Sequence, residues 1–134
     1  PGAGALQALD VGGKPLFHNL AEQLAPLATA RCDAAGRSAL GIVAGATWPD
    51  EARALRAILP SAPFLVPGFG AQGAGPADAL AGLTRDGDGW QNGLINSTRG
   101  LIFPKSAADA GDIASWRDAI DQAISGSRAA LASV

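Results

Sequence analysis

The sequence predicts an α/β fold with parallel strands, on three observations. Apolar residues at helical spacing alternate with short continuous apolar runs. Each run gives way to small or polar residues, and prolines with neighbouring acids mark where helices begin. Helix, strand, helix, strand, helix, strand, helix is the order that right-handed crossovers between parallel strands require.

After a Gly-rich opening through Gly13, positions Leu16, Phe17, Leu20, Leu24, Leu27 and Ala28 trace one helical face. Pro15 suits its first turn, Gly36 a stop, and Pro26 should kink it or shift its boundary. Leu40–Ala46 is a continuous apolar run, expected to be a strand buried on both faces. Thr47-Trp48-Pro49-Asp50 then offers a hydroxyl cap, a first-turn proline and an acid, opening a helix that ends before Pro60. Phe64-Leu65-Val66 is a second buried strand that runs directly into residues 67–75. A short helical stretch, residues 77–83, is broken by the turn sequence Asp86-Gly87-Asp88-Gly89. Leu94-Ile95-Asn96 begins a third strand. Ile113, Trp116, Ile120, Ile124, Ser127, Leu131 and Val134 mark the apolar face of a long final helix.

Composition narrows the function. Of 134 residues, 48% are hydrophobic and 16% charged, which describes a folded chain with a core. The net charge of −2 has no basic stripe behind it, so a nucleic-acid partner is not expected. No apolar run approaches the roughly 18 residues of a membrane span, so no membrane partner is expected. The single cysteine, Cys32, forms neither a disulfide framework nor a metal knuckle and is expected to be a small buried or half-buried hydrophobe. It fits a reducing compartment, and a cytoplasmic location is expected.

In parallel α/β folds, ligands gather at the C-terminal ends of strands. Those ends here are Gly45-Ala46-Thr47, residues 67–75, and Asn96-Ser97-Thr98-Arg99-Gly100. The second carries Gly68, Gly70, Gly73 and Gly75, which let backbone N–H groups turn inward and an anion approach without a Cβ in the way. The third supplies Arg99, whose guanidinium can grip a phosphate through two parallel hydrogen bonds. Two neighbouring strand ends thus offer backbone donors and one cation, which is a phosphate site. In a (β/α)8 barrel the loops after the last two strands hold phosphate. A full barrel takes about 250 residues, so this chain is roughly half of one. It opens on Pro1 within a loop, and a longer polypeptide is expected.

The motifs Gly45-Ala46-Thr47-x-Pro49, Pro67-Gly68-x-Gly70-Ala71-Gln72-Gly73 and Arg99-Gly100, in this order and spacing, resemble the closing half of orotidine 5′-phosphate decarboxylase. The opening Pro1-Gly2-Ala3 with Gln7, and the Asn96–Gly100 form of the last motif, resemble the bacterial branch called type 2. The resemblance runs from Pro1 to about Pro104. It implies the C-terminal portion of a TIM barrel, with the N-terminal half absent from this chain and a homodimer when intact. It implies that Gln72 spans the phosphate and pyrimidine of the substrate, that Arg99 holds the phosphate, and that Pro67 lines the pyrimidine pocket. Gly70 and Gly73 would shape the loop. Thr98 stands where many members place glycine, leaving its backbone N–H as the implied contact. The implied reaction converts orotidine 5′-phosphate to uridine 5′-phosphate without metal or organic cofactor. The lysine and aspartate set that performs it is missing: Lys14 and Lys105 are the only lysines, neither in an Asp-x-Lys-x-x-Asp pattern. No catalytic residue is therefore expected in this chain, and no isolated activity.

The remaining chemistry-bearing residues have plainer readings. Lys14 and Lys105 read as solvated, and Asp10, Asp50, Asp86 and Asp88 as turn and cap residues. His18 has no second ligand nearby, and the Asp86–Gly89 turn lacks the rest of a calcium loop. Trp48, Trp90 and Trp116 read as packing residues, with Trp48 nearest a strand end. Two other functions fit the same loops: a related barrel enzyme acting on a sugar phosphate, against which Gln72 argues, and a non-catalytic half-barrel that binds phosphorylated ligands.

Overall fold

The computed structural model describes residues 2–87 and 89–134. The sequence readings at Pro1 and Asp88 lie outside them. Helix α1 (Gly2–Gln7) stands where a loop is expected, followed by α2 (Leu16–Thr29), β1 (Ile42–Val43), α3 (Pro49–Ile58), β2 (Phe64–Pro67) and α4 (Pro76–Leu80). Then come β3 (Thr84–Asp86), β4 (Gly89–Gln91), β5 (Gly93–Asn96), α5 (Thr98–Ile102), α6 (Lys105–Ala108) and α7 (Ile113–Ala132). Strands β1, β2 and β5 form one parallel sheet in that order, as the alternation of elements predicts. Strands β3 and β4 pair as an antiparallel ladder, with Asp86 opposite Gly89.

Both expectations of doubly buried strands are corrected. Ile42 pairs with Phe64, and Val66 with Ile95, on the face that packs against the helices. Val43, Leu65 and Leu94 share one register row on the opposite face and are 67%, 39% and 70% exposed. The strands alternate because helices cover only one side of this sheet; the continuous apolar sequence anticipates a cover that the described residues do not provide. The first strand is also shorter than the run Leu40–Ala46 that encodes it.

The core centres on Phe64 and Leu59, the largest fully buried side chains, with Ala44, Ala46, Ala52, Ala62, Val66 and Leu80 around them. Small residues dominate because the helices lie close to the sheet. Close approach also occurs at the entry to β5, where a Cβ added to Gly93 would stand 2.6 Å from the Leu83 side chain.

Several other local expectations are revised, while Asp10 keeps its expected turn role. Helix α2 continues through Pro26 to Thr29. Trp48, not Thr47, occupies the N-cap of α3 and makes no side-chain cap bond; Pro49 at the first position and Asp50 and Glu51 in the first turn set that start. Cys32 is exposed, its Sγ 3.5 Å from the Ala28 carbonyl. On α7 the buried residue is Ala119, whereas Ile113, Trp116 and Ile124 are exposed. Lys14 is paired with Glu22, and Asp10 caps its turn by accepting from the Gly13 amide at 2.9 Å. No helix among the described residues is long and apolar enough to cross a membrane.

Candidate anion site at two strand ends

The site begins with the register of β2 and β5. Pro67 is paired with Asn96, so the two strands end level and both loops leave from the same edge. The Ala46 amide donates to the Pro67 carbonyl at 2.8 Å and brings the end of β1 alongside.

The first loop doubles back on itself. The Gly70 amide donates to the Ala74 carbonyl at 3.0 Å, and the Gly73 amide to the Gly70 carbonyl at 2.9 Å. Gly68, Gly70 and Gly73 have φ of 107°, 73° and 93°, a region that L side chains rarely adopt, which accounts for the glycines. A Cβ built on Gly68 would stand 3.6 Å from both Gln72 Oε1 and Thr47 Cγ2, so the Gln72 amide lies back over Gly68 beside Thr47.

The second loop turns straight into α5, whose first turn leaves the N–H groups of Thr98, Arg99 and Gly100 without helical acceptors. The Thr98 hydroxyl donates to Asn96 Oδ1 at 3.3 Å. Ser97 joins the two loops: its hydroxyl donates to the Phe69 carbonyl at 3.1 Å.

Between the loops lies a pocket of about 70 Å³. Pro67, Gly68, Phe69, Ala71 and Gln72 line one side, and Asn96, Ser97, Thr98 and Arg99 the other. One water needs about 10–15 Å³ on this measure, so the pocket has room for a small polyatomic anion. Its lining contains one cation, Arg99, together with amides and hydroxyls, and no carboxylate. Such a lining can hold an anion; it contains no general acid or base in the neutral range. Among the described residues no three His, Cys, Asp or Glu side chains gather as a metal site.

The structure therefore brings Pro67, Gln72, Thr98 and Arg99 to one pocket. Gly70 stands behind it as a turn former, and Gly73 lines an adjoining cavity with Gln72, Thr47 and Asp78. Trp48 lies elsewhere, 58% exposed beside a 430 Å³ cavity that Gln7, Leu24 and Leu55 also line. Sequence reasoning missed Ser97 as a structural tie. It lies within a flagged motif, but its partner Phe69 is 28 residues away and no local pattern indicates that contact.

No protein-family model matches the chain. The orotidine 5′-phosphate decarboxylase of Rhodopirellula baltica is 38% identical over 123 residues, 90% of this chain and 40% of the relative. That of Dechloromonas aromatica is 39% identical over 127 residues, covering 90% and 44% respectively. Among solved structures, the Leishmania donovani OMP decarboxylase superposes with a TM-score of 0.63 at 34% identity, over 97% of this chain and 44% of its own. The Leishmania donovani UMP synthase gives 0.65 at 35%, over 96% and 25%. The chain thus spans less than half the length of the relatives it matches.

Proposed function

We propose that this chain, related by sequence and fold to part of the orotidine 5′-phosphate decarboxylases, supplies the phosphate-binding loops of such an enzyme. It forms the C-terminal half of the barrel, and the N-terminal half contributes the lysine and aspartate set. The observation that carries this reading is the single pocket shared by Pro67, Gln72, Thr98 and Arg99. Arg99 and the free amides of α5 take the phosphate, Gln72 reaches from phosphate to base, and Pro67 borders the pyrimidine. The phosphate is remote from the carbon that loses its carboxylate, so the energy of gripping it serves to order the loops and align the reacting groups. No metal or organic cofactor takes part.

The exposed row of Val43, Leu65 and Leu94 supports the other half of the reading. Barrel interiors are filled by layers of such side chains from all strands. The intact enzyme works in the cytoplasm as a homodimer. The test is decarboxylation of orotidine 5′-phosphate by the chain alone and by the chain joined to an upstream half-barrel. Turnover only in the joined protein is expected. A joined protein that folds, binds uridine no worse than uridine 5′-phosphate and turns nothing over sinks the proposal.

A further inference from the structure

Arg56, on the last turn of α3, is the most heavily bonded side chain among the described residues, and every partner is a carbonyl. Nε donates to Gly82 at 2.7 Å, Nη1 to Leu59, Pro60 and Ala62 at 2.9, 3.1 and 2.7 Å, and Nη2 to Asn92 at 2.8 Å. The guanidinium carbon lies 3.8 Å from the centroid of the Phe64 ring. Among the described residues no carboxylate pairs with it, and burial pulls its pKa below the ordinary arginine value. An arginine that serves only solubility or an ion pair has no reason to adopt this arrangement.

The five carbonyls come from four segments: the end of α3, the entry to β2, the link after α4, and the entry to β5. The Asn92 carbonyl also accepts from the Phe64 amide at 2.9 Å, the bond that opens the β2–β5 ladder. From Phe64 and Gly93 the register runs three residues to Pro67 and Asn96, about 10 Å at roughly 3.3 Å per residue. A one-residue slip at the base would carry the two loops out of step by the same amount.

We infer that Arg56 is a positioning residue for the anion pocket: by clamping the entries of β2 and β5 it sets the register that brings Gln72 and Arg99 to one site. This rests on the phosphate reading of that site. A lysine keeps the charge but not the planar fork that reaches several carbonyls at once, so it cannot replace Arg56.

The experiment compares the unaltered chain with Arg56→Lys and Arg56→Gln, at a temperature where circular dichroism reports both variants as folded. Calorimetry with uridine 5′-phosphate should give at least fivefold weaker binding for Arg56→Lys and weaker still for Arg56→Gln. Amide exchange at Phe64, Val66 and Ile95 should quicken at least tenfold, with the amides of α7 unchanged. Uniform acceleration along the chain, as general loss of stability produces, overturns the inference, and so does unchanged binding in a folded variant. Failure of the unaltered chain to bind uridine 5′-phosphate sinks the phosphate reading instead, and the exchange pattern still decides the role of Arg56.

Discussion

The Ser97 hydroxyl and the Phe69 carbonyl, 3.1 Å apart, join two loops whose sequences lie 28 residues from each other. One neutral hydrogen bond of this kind contributes about 1 kcal/mol. Ser97→Ala should therefore lower the midpoint of thermal unfolding by a few degrees and, by freeing the two loops from each other, weaken binding of uridine 5′-phosphate by up to about fivefold. Calorimetry beside a melting curve separates the two effects. Unaltered affinity would mean that the strands alone hold the loops together.

Gly100 offers an independent route to the same bond. A Cβ at this position would lie 2.9 Å from Ser97 Oγ, too close for both to stay. Gly100 is inside α5, where alanine favours the helix over glycine by about 1 kcal/mol. Gly100→Ala should thus weaken binding as Ser97→Ala does, with stability nearly unchanged because the helix gain offsets the lost bond. A Ser97→Ala/Gly100→Ala double variant should bind no worse than either single one, because the same bond is lost once.

How much of this was legible in the sequence depends on the range of the cause. The glycines of residues 67–75 and the arginine after β5 could be read because backbone conformation and charge are local properties. The parallel sheet could be read because its apolar runs alternate with helical periods. What escaped depends on distant partners: Ser97 needs Phe69, Arg56 needs carbonyls as far away as Asn92, and the exposure of Val43 depends on what covers the sheet. Thr47 was misread as a cap because hydroxyl-x-Pro suits one; the chain instead enters α3 through Trp48 and Pro49. The α7 helix itself is legible and its Leu131 packs against the core, but Ile113 and Trp116 keep helical spacing without facing it.

Arg99 is the only cation in the pocket lining, so its removal should cost most. A bidentate, charge-assisted contact is worth about 3 kcal/mol, or roughly a hundredfold. Arg99→Ala should lower affinity for uridine 5′-phosphate by about that factor and leave affinity for uridine unchanged. In the chain joined to an upstream half-barrel, kcat/KM for orotidine 5′-phosphate should fall at least as far. Arg99→Lys should lie between, since it keeps charge but not the fork. Equal losses for uridine and its phosphate would move Arg99 out of the anion site.

Gly93 tests packing apart from binding. An added Cβ meets Leu83 Cδ1 at 2.6 Å and the Phe64 carbonyl at 3.2 Å, so the Leu83 side chain must leave its place beneath β5. Overpacking of this kind costs about 1–3 kcal/mol. Gly93→Ala should lower the midpoint of thermal unfolding by roughly 4–12 °C, given about 4 °C per kcal/mol for a domain of this size. Differential scanning calorimetry reads it directly, and an unchanged midpoint would show that Leu83 has somewhere else to go.

The start of α7 carries a titratable contact whose direction is fixed by its bonds. The Asp112 carboxylate accepts from the Ser115 amide at 2.8 Å and from the Ser115 hydroxyl at 2.9 Å, and these bonds hold its pKa below the ordinary 3.8. A depressed folded-state pKa means that the contribution is complete above the unfolded value and fades as pH falls through the folded one. Amide shifts of Ala114 and Ser115, followed by NMR through an acid titration, should therefore move with a midpoint below 3.8. In Asp112→Asn the side chain still caps but no longer titrates, so that movement should vanish while the helix start persists. A midpoint above 3.8 in the unaltered chain would mean that the cap bonds are not made in solution, because a carboxylate that gains two donors on folding cannot become easier to protonate.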